Sequence, residues 1–571
     1  MTSIIVKGKV QSDPVLVQEQ LAVLQGLWRT WGPEAFLRYF IWILTKKQTA
    51  ASARKKRFSR LVPFSYNPIQ RDIESRLGRR NIYLKPRQVG LTTWVLLRRL
   101  FVPCILNPGT NSFLISQSNG KATEHFRIIQ RAKKFFGVAD PSSQENQWNK
   151  DLLENLLHAR YSNRKEIIFD QIDSSCTIGS AEVEEAGQGS TLHQVACSEI
   201  ARWPGNPEET LGNLKEALTL DGTLDLESTA NDAGGYFYEE CQRAESGMSE
   251  FVFHFHPWWW EPQYRVELTE KQQEELAGDL NAEEELLRKK FHLELQQIAF
   301  RRNKMISLRY SFPEKYPEDS ISAFLIKGSG FFDTQVARMR MLELQGVEPI
   351  ATFGNGECKI FKKVIPGRRY IIGADPASGK QVAENDLDQS AAKVIDLETG
   401  EEVAAYLARL STVDFALDLE HIGLYYNKAI IAVERGGGVE AAEGGTVILT
   451  LVNNSYPGIY KHKEWWRRNK KQKEEALFEG FPTNSKTRPI VLNRLKQFVD
   501  ESPSLIHDIE LLKQCLVFIR NEKGRPAAMV GKHDDMVMAS AIAQTVRLIL
   551  LGYIDPLSMA KEDYGDLDDD E

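Results

Sequence analysis

No stretch of this 571-residue chain approaches an uninterrupted apolar run long enough to span a bilayer. The opening MTSIIVKGKVQSDP lacks the basic start and long apolar centre of a secretory signal. Cysteine is scarce: the six residues Cys104, Cys176, Cys197, Cys241, Cys358 and Cys515 are scattered and include no C-x-x-C pair. That spacing argues against a cysteine zinc site and fits a reducing compartment. There is no internal repeat and no large charge excess. The formal net charge is −6, so the total alone does not mark a nucleic-acid binder.

The chain's composition is that of a folded protein, with 42% hydrophobic and 26% charged positions. Its length exceeds one core, so two domains with flanking segments are expected. Charge is concentrated locally. Residues 561–571, KEDYGDLDDDE, form an acidic end that reads as a solvated tail. KKR at 55–57 and KHKEWWRRNKKQK at 461–473 are basic blocks, and such patches matter more than the total.

Residues 1–60 read as a helical arm. Leu16, Val17, Leu21, Leu24, Leu27 and Trp28 recur at helical spacing, as do Phe36, Tyr39, Phe40 and Leu44. Over 61–330, short apolar runs at 82–84, 112–116, 192–198 and 224–229 alternate with helical stretches. This pattern predicts buried strands of an open α/β sheet, with a charged helical subdomain at 261–310. Residues 331–355 read as a linker. A second, β-rich start begins a domain over 356–555: RYIIGADPAS, a hairpin turning at 398–401, a buried strand at 429–435, a long basic loop, and a helix from 534 to about 550. Residues 556–571 are the tail.

The first domain is organised around NIYLKPRQVGLTTW at 81–94. An apolar strand, a turn and a helix opening at Thr92 follow the order of a P-loop. Against G-x-x-x-x-G-K-[ST], Gly90 and Thr92 match, but Leu91 holds the lysine position and Lys85 the first glycine. These residues leave two readings open: a deviant P-loop whose cation comes from the front of the loop, or no P-loop. Upstream, the amide of Gln70 can both donate to and accept from an adenine edge. LHQVACSE sets Ser198 and Glu199 at the end of a buried strand, where phosphate-hydrolysing folds hold Mg²⁺ and activate water. Ser198 stands where aspartate is usual and can hold a magnesium-bound water; Glu199 is the candidate base. Ser228, Thr229 and Asn231 end the strand in DLESTAND, a place suited to sensing a γ-phosphate, and GQGST at 187–191 is a candidate mobile loop.

The second half carries acids in a telling order. Asp375 ends RYIIGAD, Glu434 ends AIIAVE, and Asp534 and Asp535 open a helix in GKHDDMVMASAIA. Such acids can converge on two metal ions about 4 Å apart that activate water and stabilise a leaving oxygen. Mg²⁺ and Mn²⁺ prefer such hard oxygen ligands. Successive helical residues diverge by about 100°, so Asp534 and Asp535 cannot point the same way; Asp535 is favoured, and Asp388 is a further candidate. Lys463, Arg467, Arg468, Lys470 and Lys471 flank Trp465 and Trp466, a mixture suited to tracking a DNA backbone and stacking a base. Lys486 and Arg488 offer further phosphate contacts. His254 and His256 have metal-ligand spacing on a strand but no accompanying acid or cysteine cluster.

Taken in order, these residues resemble the large terminase subunit of tailed bacteriophages, the motor that packages DNA into capsids. The resemblance rests on Gln70; Lys85, Arg87, Gly90, Thr92 and Thr93; Ser198 and Glu199; Ser228, Thr229 and Asn231; and, later, GADPASG with D-x-S-A over 373–391 and HDD at 533–535. It spans roughly 61–550. It implies an α/β protein in which a P-loop (RecA/ASCE-like) ATPase domain with a helical arm precedes an RNase H-like nuclease domain. It also implies ATP and Mg²⁺, with Mn²⁺ possible in the nuclease site. Lys85 would neutralise the β/γ-phosphates, Thr92 would ligate Mg²⁺, and Pro86, Gln88, Val89, Gly90, Leu91 and Thr93 would surround the nucleotide. Arg87 is a candidate for transition-state charge, with Arg127 and Arg131 as rivals if a neighbouring subunit supplies it. Implied partners are double-stranded DNA, a small terminase subunit, the portal of the procapsid and further copies in a ring, with no membrane. The implied location is the host cytoplasm rather than the mature virion. Two alternatives stand beside it: another ATP-dependent DNA enzyme of helicase–nuclease or transposase type, and a DNA-binding scaffold whose ATP site is inactive. A helicase would need a second motor domain, and the sequence holds no second nucleotide motif.

Overall fold

Buried apolar strands build the two large sheets among the described residues, of eight and seven strands. The computed structural model describes residues 14–45, 60–138, 156–157, 159, 161–162, 165–183, 189, 191–231, 234–324, 330–354, 356–377, 381–383, 386–387, 389–435, 439–469, 472–521, 524–529 and 533–560. It divides into one unit of Met1–Leu280 with Leu287–Phe324, and a second of Asn281–Leu286 with Leu325–Glu571. No helix among the described residues is long and apolar enough to cross a membrane.

The first unit opens with helix Pro14–Phe40, kinked at Gly32 ahead of Pro33. Val17, Leu21, Leu24, Phe36, Leu37 and Phe40 join the same core as Ile69, Trp94 and Phe126, so the expected arm is an integral layer of this unit. Tyr39 and Leu44, from the same periodic set, stay exposed. Strands β1 (Trp42–Thr45) and β2 (Arg60–Pro63) pair antiparallel beside it.

The main sheet is built from β3 (Arg80–Leu84), β4 (Asn111–Ser116), β5 (Tyr161–Ser162), β6 (Glu166–Phe169), β7 (Ser174–Ser180), β8 (Leu192–Ser198), β9 (Leu218–Ser228) and β10 (Val252–Phe255). Their spatial order is β10-β3-β9-β8-β4-β7-β6-β5. Neighbours from β10 to β7 are parallel, and β6 and β5 complete an antiparallel edge. The four strands expected from apolar runs are present. β5, β6 and β7 were not anticipated, because YS and EIIF are short and SSCTIGS is polar.

A buried polar network fixes the register of β3, β9 and β10. Arg99 pairs with Asp225 at 2.8 Å, and the Tyr83 hydroxyl and Asn81 amide donate to the same carboxylate at 2.7 and 2.9 Å. His254 meets Asn81 at 3.1 Å and stacks on Tyr83, while His256 meets Asp72 at 2.8 Å. Burial pushes His254 down to about 3. The histidine pair is therefore structural. The excursion at 261–310 forms three helices, Glu270–Ala277, Ala282–Phe291 and Leu295–Leu308.

The second unit contains β11 (Ala351–Phe353), β12 (Cys358–Ile360), β13 (Tyr370–Asp375), the small hairpin β14 (Gln381–Ala383) and β15 (Asp386–Leu387), β16 (Ser390–Asp396), β17 (Glu402–Ala408) and β18 (Ile430–Arg435). The hairpin β19 (Lys461–Asn469) and β20 (Gln472–Glu479), β21 (Phe481–Pro482), and the pair β22 (Phe518–Arg520) and β23 (Pro526–Ala528) follow. The sheet order is β11-β12-β17-β16-β13-β18-β21. β13, β16 and β17 form an antiparallel meander, and β18 returns through helix Thr412–Tyr425 to lie parallel on the other side of β13. That is the strand arrangement expected of an RNase H-like sheet. Helix Asp535–Leu550 lies directly on it: a Cβ at Gly373 would come within 2.2 Å of the Ala539 carbonyl oxygen, so only glycine admits this approach.

Two expectations need correction. Residues 331–355 are not a bare linker: helix Thr334–Leu344, capped by Asp333, belongs to the second unit, where Arg340 donates to the Ile506 carbonyl at 2.8 Å. The unit boundary therefore falls near 324–325. Likewise Lys461–Asn469 is not a loop but a strand, β19, which pairs antiparallel with β20.

Candidate functional sites

The parallel register sets Leu84 opposite Ser228 and Ser198 opposite Glu227. It thus gathers the ends of β3, β9 and β8 at one edge, the edge where open α/β sheets bind ligands. Beyond β3 the chain turns with positive φ at Gln88 (58°) and Gly90 (73°). Gly90 then caps the short helix Leu91–Trp94, which continues through a π-helical stretch Val95–Phe101. The left-handed Gly90 is a position that favours glycine.

Lys85 is buried under this loop. Its ammonium donates to Thr92 Oγ1 at 2.7 Å, pairs with Glu227 Oε2 at 2.5 Å, and lies 3.3 Å from Glu199 Oε1. Thr92 Oγ1 donates to Glu227 Oε2 at 2.9 Å and Ser198 Oγ to Glu227 Oε1 at 2.7 Å. One carboxylate, 1% exposed, thus gathers the loop lysine and two hydroxyls. Burial by itself would raise the Glu227 pKa and lower that of Lys85. Their mutual attraction outweighs it, aided by the Ser198 hydrogen bond at Glu227 and the Glu199 charge at Lys85, so Glu227 ends below and Lys85 above its ordinary value. Glu227 was missed in the sequence. The signal for it was an acid one residue from the end of a buried strand, in DLES.

Glu199 follows β8 in a left-handed conformation (φ 54°, ψ 43°). This is a costly backbone state for a side-chain-bearing residue, of the kind that clusters at functional sites. Its carboxylate accepts from Thr229 Oγ1 at 3.4 Å. A cleft of about 960 Å³ opens here, lined by Gln70, Lys85, the loop from Arg87 to Thr93, Glu199 and Thr229. Pro86 is buried, Ser198 sits beneath the cleft on Glu227, and Asn231 stands outside the lining.

Gln70 is held more tightly than an adenine reader needs. Its side-chain oxygen accepts from the Asn67 N–H at 3.0 Å, and its amide nitrogen donates to the Gly90 carbonyl at 3.0 Å. It ties helix Pro68–Ser75 to the loop. Arg87 is exposed at the cleft, its backbone N–H bonded to the Lys315 carbonyl at 3.0 Å and its own carbonyl to the Tyr264 hydroxyl. Arg127 and Arg131 lie on helix Asn119–Lys134 but outside the lining, whereas Lys121 and His125 from that helix contribute to it. Arg202, not anticipated, also lines the cleft and pairs with Glu314 at 2.5 Å. A carboxylate, hydroxyls and a buried lysine at a loop–helix junction fit a magnesium–nucleotide pair in donor chemistry.

In the second unit, Asp375 ends β13 and Glu434 is the penultimate residue of β18, with Ala374 opposite Val433. The two acids therefore share one end of the sheet. Burial pushes the Asp375 carboxyl well above the usual range, followed by the charge and hydrogen bond of Glu434 and the charges of Asp535 and Asp534. The Gly373 approach brings Asp534 and Asp535 to this end. Asp534 is turned onto Arg488, which also reaches Met538 Sδ at 3.2 Å; Asp535 lies 3.9 Å from His533. Among the described residues no three of His, Cys, Asp and Glu form a ready-made coordination group. The all-oxygen donor set suits Mg²⁺ or Mn²⁺.

The expected DNA contacts fare unevenly. Arg488 is engaged with Asp534 rather than free for phosphate. Lys463 pairs with Glu475, and Lys461 with Glu479 at 3.1 Å, so acids of β20 offset the basic strand. Lys486 is exposed. Arg467 and Arg468 lie on β19, but their side chains, with those of Trp465 and Trp466, are outside the described residues. Lys470, Lys471, Asp388, residues 55–57, the tail 561–571 and most of 187–191 also lie outside them.

No protein-family model and no curated protein matches this sequence. Among solved structures, the chain is similar to a large terminase from a thermophilic bacteriophage, at 10% identity over 92% of this chain and 98% of that one, with a TM-score of 0.28. It is also similar to the large terminase nuclease of thermophilic phage G20c with bound magnesium, at 18% identity over 36% and 96%, TM-score 0.26. A third is the large terminase ATPase domain of Thermus phage P74-26, at 14% identity over 44% and 93%, TM-score 0.27.

Chemically, the first site can neutralise an anion at Lys85, offer hydroxyl and carboxylate oxygens to a cation, and abstract a proton at Glu199. The second sets Asp375 and Glu434 at one end of its sheet, where the charges of Asp535 and Asp534 are felt at Asp375.

Proposed function

We propose that this chain is an ATP-driven motor that packages viral double-stranded DNA and cuts it with a metal-dependent endonuclease. The observation that carries this reading is the meeting of Lys85, Thr92, Ser198, Glu199 and Glu227 at one sheet edge, in a chain whose other unit gathers Asp375, Glu434 and Asp535.

When bound, Mg²⁺–ATP would supply the transferable phosphoryl group in the first unit, and Mg²⁺ or Mn²⁺ held by the acids of the second would supply Lewis acidity towards water and phosphodiester. In the first unit Lys85 neutralises phosphate charge at the mouth of the loop. Thr92 presents its hydroxyl from the first turn of the helix. Glu199, oriented by Thr229 at 3.4 Å, takes the proton of the attacking water. Arg87, exposed at the cleft, can reach developing charge. In the second unit Asp375, Glu434 and Asp535 bind the cations, and Arg488 holds Asp534 in place. The partners in this reading are duplex DNA, a ring of further copies on the procapsid portal and a small subunit that chooses the cutting sequence, all in the host cytoplasm.

The inactive-scaffold alternative rested on Leu91 and Ser198. Lys85 and Glu227 supply the cation and the carboxylate those positions lack, which weighs against it. The test is DNA-stimulated ATP hydrolysis together with Mn²⁺-dependent plasmid cleavage: Glu199→Ala should remove only the first and Asp375→Ala only the second. Loss of neither would overturn the reading.

A further inference from the structure

We infer that Glu227, not an acid on β8, is the carboxylate that anchors the magnesium ion of the bound nucleotide. This rests on the ATPase reading of the first unit. The acid position at the end of β8 is occupied by Ser198, which carries no charge. The parallel register places Glu227 of β9 directly opposite it, and the Ser198 hydroxyl donates to Glu227 Oε1 at 2.7 Å. The carboxylate has therefore moved one strand sideways rather than disappeared.

The other oxygen of the same group makes the second link. Glu227 Oε2 accepts from Thr92 Oγ1 at 2.9 Å, the hydroxyl at the start of the loop's helix. A counter-ion for Lys85 alone would need one oxygen on the lysine. Here Oε1 reaches the hydroxyl on β8 while Oε2 takes both Lys85 and the hydroxyl at the helix start. The side chain is 1% exposed, a costly place for an acid without a charged partner. Glu199 is the remaining nearby acid, but it leaves the strand in a left-handed turn and pairs with Thr229 at the cleft wall, a position for a base. Lys85 and Glu227 thus neutralise each other in the nucleotide-free chain. Phosphate and magnesium charges replace that pairing when nucleotide enters.

The test measures equilibrium binding of a fluorescent ATP analogue to the full chain, in Mg²⁺ and in EDTA, so it does not depend on turnover. Wild type should bind more tightly in Mg²⁺. Glu227→Gln should lose about 10- to 100-fold of that magnesium gain while still binding in EDTA. The double variant S198D/E227Q, which returns the carboxylate to β8, should recover it and guards against a misfolded single variant. The inference is overturned if Glu227→Gln shows the wild-type magnesium gain, or if the double variant binds in EDTA yet recovers none. If wild type binds no nucleotide under either condition, the ATPase reading itself fails and the inference falls with it.

Discussion

Lys85, at the end of one strand, is locked at 2.5 Å to Glu227, near the end of the next, and both are buried. The pair holds the loop against the sheet before any nucleotide arrives. Lys85→Ala would leave a buried carboxylate without its cation, and such losses cost about 3–5 kcal/mol. Urea unfolding of the nucleotide-free chain should show a drop of that order in the first transition. A change within about 0.5 kcal/mol, typical of surface positions, would mean that the pair is not buried as described.

Asp375 gives a pH signature. Its folded-state pKa is raised by burial and by the neighbouring acids, above an unfolded value of about 3.9. Between those two values the folded chain holds more protons than the unfolded one, so stability falls as pH rises. Asp375→Asn removes that loss. In chelator, its stability advantage over wild type should grow from about pH 4 towards neutrality. Parallel pH profiles for the two proteins would contradict the burial of Asp375 beside Glu434.

The Arg488–Asp534 pair separates two acids that are adjacent in sequence. Asp535→Ala should abolish Mn²⁺-dependent plasmid cleavage, as Asp375→Ala should. Asp534→Ala and Arg488→Ala should instead cost about 10- to 100-fold, the usual effect of a group that positions a ligand. Metal titration of the cleavage rate measures this. Equal and complete loss in Asp534→Ala and Asp535→Ala would show that both bind metal.

Away from either site, Lys393 is fully buried between Asp508, at 2.5 Å, and Glu402. Lys393→Ala leaves two buried acids facing each other and should destabilise the second unit by about 3–5 kcal/mol with the first unit's melting unchanged. Differential scanning calorimetry resolves the two units. An unshifted second transition would contradict the buried triad.

Much of this architecture could be read from the residues. β8 was expected at 192–198 and is found there, a parallel strand buried along nearly its whole length around the apolar Val195, Ala196 and Cys197. Asp375, Glu434 and the 534–535 pair were found because each ends or begins an element. What escaped was lateral. Glu227 became visible only when β9 was set beside β8, since strand order and register are long-range properties that a linear pattern does not carry. In the basic stretch at 461–473, Lys463 and Lys461 pair with Glu475 and Glu479 on a partner strand that the linear sequence does not set beside them. Gln70 was read as an amide able to meet an adenine edge; in the structure its oxygen accepts from Asn67 and its nitrogen donates to Gly90.

The most direct test of the central claim is the steady-state rate of ATP hydrolysis by the full chain, with and without linear duplex DNA, for wild type, Glu199→Ala and Asp375→Ala. The account predicts DNA-stimulated hydrolysis in wild type and in Asp375→Ala. It predicts a fall of about 10²- to 10⁴-fold in Glu199→Ala, the usual contribution of a general base. Hydrolysis by Glu199→Ala at the wild-type rate, or no hydrolysis by wild type at all, would contradict it.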